Sequence, residues 1–123
     1  QLAIAQQQEH LPFFRRVIPA TAYTEGWALY AERIAWEMGF QEDPYDNIGR
    51  LQAELFRAVR LVVDTGIHAL GWSVNEAAAY YEGATGRPTP PSAMLRYVIL
   101  PGQGCGYTVG MLKILFHRDT GWN

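Results

Sequence analysis

Two carboxylates, Glu25 and Glu32, stand in the run Thr24-Glu25-Gly26-Trp27-Ala28-Leu29-Tyr30-Ala31-Glu32. Two turns of α-helix advance about seven residues, so a helical reading puts both near one face, with Leu29 between them. A carboxylate in so apolar and aromatic a setting needs its charge compensated. A metal ion or an arginine would do that. On periodicity alone, the solvated side of an ordinary amphipathic helix is the commoner explanation. Gly26 points further, because a glycine near a helix start weakens it by about 1 kcal/mol relative to alanine; close approach of another backbone would account for it.

Arg60, Asp64 and His68 follow one another at i, i+4 spacing, so on a helix their side chains are neighbours. Asp64 could orient His68 and fix its tautomer. Arg60 could pair with Asp64 or hold a substrate carboxylate in a two-pronged grip. The commoner meaning of such a series is a solvated polar face with a weak ion pair. Pro101-Gly102-Gln103-Gly104-Cys105-Gly106-Tyr107 packs three glycines before a tyrosine. So much glycine costs backbone entropy and suggests close approach to a ligand or another helix. Tyr107 could then offer its hydroxyl to a developing oxyanion. No strand precedes these glycines and no Lys-Ser/Thr follows, so they do not form a phosphate loop. Cys105 has no adjacent base, and a buried structural cysteine is commoner than a nucleophile. There is no H-E-x-x-H motif, and His10, His68 and His117 are widely separated. No local motif assembles a zinc site.

The elements that would position these residues read as all-α. Gln1 to about Leu11 reads as a helix stopped by Pro12, with Phe13 to Ala20 a connector carrying Arg15-Arg16. A second helix runs from Thr21 or Ala22 to Met38 and ends at Gly39. Gln41 to Asp43 form a short loop. Pro44 opens the longest helix, to about Leu70, closed by Gly71. Its apolar face is Leu51, Leu55, Phe56, Val59, Val62, Val63 and Ile67. Arg50, Arg57, Arg60, Asp64 and His68 gather on the other side, and Gly66 would mark a helix–helix contact. Ser73-Val74-Asn75-Glu76 has the form of a capping box opening a helix to about Glu82. Gly83 to Pro91 is a loop, Ser92 to Leu100 a short helix, and Gln103 or Gly104 to Phe116 the last one. His117 to Asn123 has no assignment.

The chain has 123 residues, one domain or part of one. Charged residues are 18% of it and aromatics 13%, so part of its surface is suited to being covered. A net charge of −2 gives no electrostatic case for nucleic acid or an anionic membrane. No apolar run is long enough for a membrane span. The lone Cys105 excludes an internal disulfide and leaves the compartment open. The opening at Gln1 reads as mid-helix, as in a fragment or a processed product.

Three stretches in order resemble a known family. Ala22-Tyr23-Thr24-Glu25-Gly26-Trp27-Ala28-Leu29-Tyr30-Ala31-Glu32 resembles the glutamate helix of a bacterial zincin-like, gluzincin-type metallopeptidase family long catalogued as a domain of unknown function, DUF885. Arg60-Leu61-Val62-Val63-Asp64-Thr65-Gly66-Ile67-His68 with Trp72-Ser73 resembles its next signature. Arg96-Tyr97, Pro101-Gly102-Gln103, Tyr107 and Gly110 resemble its last. The similarity spans about Gln1 to Leu115. It implies a largely helical gluzincin-like body in which Glu25 is a zinc ligand and Arg60 binds substrate. It also implies that Tyr107 or His68 assists the oxyanion and that Asp64 and Glu32 support the ligands. Two zinc-binding histidines and the general-base glutamate would lie just upstream of Gln1. The resemblance therefore implies the C-terminal part of a bacterial peptidase, cytoplasmic or periplasmic, holding zinc in the parent protein but not tightly in this chain. Its partners would be a peptide substrate and the N-terminal half of the same protein or a second copy. The alternative is a non-catalytic helical interaction module.

Overall fold

The computed structural model describes residues 2–121. They form seven α-helices, with no strand among the described residues. The helices are α1 (Leu2–Gln6), α2 (Phe13–Val17), α3 (Thr21–Glu37), α4 (Pro44–Leu70), α5 (Val74–Thr85), α6 (Pro91–Ile99) and α7 (Gly106–Thr120). The all-α expectation holds. None of the described helices is long and apolar enough to cross a membrane.

The longest helix is fixed at both ends by local chemistry. Asp43 precedes it, and its side chain accepts a hydrogen bond from the Tyr45 N–H at 2.8 Å. Pro44 occupies the first turn, where its missing N–H would have no partner anyway. Gly71 ends α4 with φ at 72°, a backbone setting that favours glycine. α5 opens with the expected capping box. Ser73 Oγ accepts from the Glu76 N–H while the Glu76 carboxylate accepts from the Ser73 N–H.

Several boundaries differ from the sequence reading; α5 runs on to Thr85, into the expected loop, and α7 begins at Gly106. α1 stops at Gln6, where the Arg16 guanidinium caps the Gln6 carbonyl with bonds of 3.0 and 2.8 Å. Pro12 does not stop a helix but precedes one, because its fixed φ suits a helix start; Phe13–Val17 is helical rather than a connector. α7 continues to Thr120, through residues that carried no assignment. Arg118 is anchored to Glu37 of α3 at 2.8 Å, and the Thr120 hydroxyl donates back to the Phe116 carbonyl.

Two apolar clusters hold the body together. Val59, Val63, Ala77, Tyr81, Met94 and Tyr97 join α4, α5 and α6. Leu29, Met111 and Leu115 join α3 to α7, with Tyr30 and Tyr107 packed against them. α3 and α7 make the most extensive helix–helix contact in the described chain. Glycine allows it. A Cβ on Gly26 would strike the backbone of Gly110, and a Cβ on Gly110 would strike the Ala22 carbonyl oxygen. The expected close approach at Gly26 is thus a helix crossing. Gly66 has a different reason from the one expected: the Trp72 ring, not another helix, lies where its Cβ would be.

Candidate functional site

α3, α4 and α7 converge beside Tyr107, in the first turn of α7. The turn before it is pressed between two helices. A Cβ on Gly104 would sit 3.2 Å from Asp64 Oδ2 of α4, and one on Gly106 would sit 2.8 Å from Thr21 Cγ2 of α3. Gly102 has a φ of 78°. Gly104 and Gly106 therefore serve close packing of backbone on helices, Gly102 serves the left-handed turn, and the result is a fixed placement of Tyr107.

Two guanidiniums from α4 gather around the Tyr107 ring. Arg60 lies 4.6 Å from its centroid and Arg57 5.9 Å. They are three residues apart, so helical geometry turns both the same way. Arg60 is only 7% exposed. It also faces the rings of Phe56 and Tyr97, and its Nη2 donates to Gln103 Oε1 at 3.1 Å. Its Nε has no hydrogen-bond partner among the described residues. Aromatic faces and an amide oxygen supply the negative potential that a carboxylate usually gives a buried arginine. Arg57 is held by Glu32, 3.4 Å away, and donates through Nη1 to the Ala53 carbonyl.

Asp64 is 2% exposed. Its Oδ1 accepts the Gly102 N–H at 2.9 Å, tying the glycine turn to α4. Its Oδ2 finds no hydrogen-bond donor among the described residues. The expected Asp64–His68 couple is absent. His68 turns to α6, and its Nε2 lies 2.8 Å from the Tyr97 carbonyl oxygen. A carbonyl only accepts, so Nε2 carries the proton in that bond. The expected Arg60–Asp64 pair is also replaced: both side chains reach the glycine turn instead of each other.

Glu25 is half-buried on α3, two turns before Glu32. No group of three or more His, Cys, Asp or Glu side chains that could hold a metal occurs among the described residues. The structure thus gathers Glu32, Arg60, Asp64 and Tyr107 and turns His68 elsewhere. It adds two residues not singled out above, Arg57 and Gln103. Arg57 is legible in the sequence as part of a polar face, and Gln103 as the polar residue of a glycine turn and of the last signature, with no role attached to either.

Cys105 lies in the same turn. Burial pushes its thiol up from the usual range, and the negative charge of Asp64 adds to this. Less thiolate is then present at neutral pH. Alkylation by iodoacetamide should be several-fold slower than for a free thiol and should rise with alkaline pH, as mass spectrometry of timed samples would read.

A family model described as "Bacterial protein of unknown function (DUF885)" covers residues 1–120. No curated protein and no solved structure matches the chain.

Proposed function

Because the chain belongs to the DUF885 family of bacterial proteins, we propose that it forms one side of the active cleft of a zinc-dependent peptidase. The resemblance of its three signatures to a gluzincin-type family motivates the reaction class. The supporting observation in the structure is the constellation around Tyr107, with Arg57 and Arg60 at its ring and Glu32 and Gln103 holding them.

The described residues do not fit zinc on their own. A catalytic zinc takes three protein ligands. Glu25 is the carboxylate that the resemblance assigns to it, and no metal-holding group surrounds it among the described residues. The histidines and the general base would come from another part of the protein or from a second chain. The chain's own part is to hold and to polarise. Tyr107 offers its hydroxyl to the oxyanion formed at a peptide carbonyl. Arg60, buried under three rings, positions Tyr107 rather than gripping a substrate carboxylate in the open. Asp64 fixes the turn that carries Gln103, and His68 supports α6.

Zinc calorimetry on this chain and on Glu25→Ala tests the division of labour. Neither should bind zinc tightly, and the purified chain should show no chelator-sensitive peptide hydrolysis. Tight binding lost in Glu25→Ala would mean that the chain completes a site by itself. When the chain is combined with a polypeptide carrying the family's His-Glu motif, hydrolysis should appear. Tyr107→Phe should lower it by about 10²-fold; an unchanged rate would remove Tyr107 from the reaction.

A second reading, a helical interaction module, is favoured by the groove between α3 and α7. Tyr23, Trp27 and Val109 line it and are exposed. A monodisperse monomer with no dye-accessible apolar surface, by light scattering and fluorescence, would count against it.

A further inference from the structure

A cavity of about 430 Å³ opens between α4, α5 and the turn after α5. Its size falls in the range of small-molecule pockets, about 300–1,000 Å³. Gln52, Phe56, Arg57, Tyr81, Thr85 and Arg87 are among its lining residues, and no Asp or Glu lines it. Phe56 and Tyr81 meet edge to face, with centroids 6.0 Å apart. They give the cavity an aromatic wall.

The two arginines are prepared differently. Arg57 is anchored by the Ala53 carbonyl and by Glu32. Arg87 is fixed through its backbone: its N–H donates to Thr85 Oγ1 at 3.2 Å, and that hydroxyl in turn donates to the Tyr81 carbonyl at 2.8 Å. No hydrogen bond or ion pair holds its guanidinium among the described residues. Glu32 offsets the charge of Arg57, and that of Arg87 is left uncompensated at the same cavity. Guanidiniums match carboxylate and phosphate oxygens in pairs of parallel hydrogen bonds.

We propose that this cavity binds a small organic oxyanion, a carboxylate or a phosphate monoester, with its head at Arg57 and Arg87 and an apolar body against Phe56 and Tyr81. The site is separate from the Tyr107 constellation except for Arg57, and it does not depend on the peptidase reading. It predicts a ligand for the chain whether or not any peptide is cut.

The test is calorimetric titration of the whole chain with phenyl phosphate, benzoate and inorganic phosphate at low salt. At least one aromatic probe should bind saturably, and the tighter of the two identifies the head group. Arg87→Gln, which alters a side chain beyond the end of α5, should weaken that binding about tenfold while leaving the helical circular dichroism unchanged. Raising the salt should weaken it as well. Inorganic phosphate should bind less tightly, for want of an apolar body. No saturable binding of either aromatic probe, or equal binding by Arg87→Gln, would overturn the proposal. Equal binding of inorganic phosphate and phenyl phosphate would overturn the role of the aromatic wall.

Discussion

Gly110→Val is expected to destabilise the fold by roughly 3 kcal/mol or more, at the upper end of what overpacking costs. At Gly110 any Cβ meets the Ala22 carbonyl oxygen and the Cα of Gly26, the latter at 2.8 Å. These are backbone atoms, so no side chain can rotate away. The two helices must separate, and Leu29, Met111 and Leu115 lose the packing that buries them. The midpoint of urea unfolding, followed by circular dichroism, reads the loss. Gly49→Ala is the control. It lies inside α4, and its added Cβ meets nothing within 4 Å. It should raise stability by about 0.5–1 kcal/mol through helix propensity and a less flexible unfolded chain. If both variants shift the midpoint alike, the crossing is not what the glycine is for.

Met94→Ala should cost about 2–5 kcal/mol, the usual range for deleting a buried methionine side chain. Met94 is 2% exposed, on α6, inside the cluster formed with Val59, Val63, Ala77, Tyr81 and Tyr97. Removing it leaves a void among residues from three helices, none of which can close in without moving the others. The same urea titration applies. A loss under about 1 kcal/mol would mean that the α4–α6 contact collapses to fill the space.

Much of the fold was legible because it is written in short-range chemistry. Asp43-Pro44 and Gly71 bracket α4 at the expected residues, and Ser73 with Glu76 starts α5 where the capping box says it should. Pro12 was misread because one residue suits both the stop of a helix and the start of the next. The end of α7 was missed because its last turn is held by Arg118 and Glu37, far apart in sequence.

The candidate site was legible in its parts but not in its connections. Spacing on one helix makes Arg60, Asp64 and His68 neighbours, and it suggests that they bond to each other. In the structure all three turn outward, to Gln103, Gly102 and Tyr97. Close approach is correct for Gly104 and Gly106, though sequence did not say which helices would approach; Gly102 instead serves a φ of 78°, and a Cβ there would meet nothing within 4 Å. Periodicity carries no information about partners on other elements.

The crossing at Gly26 and Gly110 joins α3 to α7 across three intervening helices. Such pairing between distant segments closes a long loop of chain and slows folding. During synthesis on a ribosome, α4, α5 and α6 can bury Val63 and Met94 among themselves while α3 still lacks α7. Until α7 emerges, Leu29 and the aromatic flank of α3 stay open to solvent and to other chains. A nascent chain at that stage should be bound by chaperones that recognise exposed apolar segments, and release should coincide with the docking of α7.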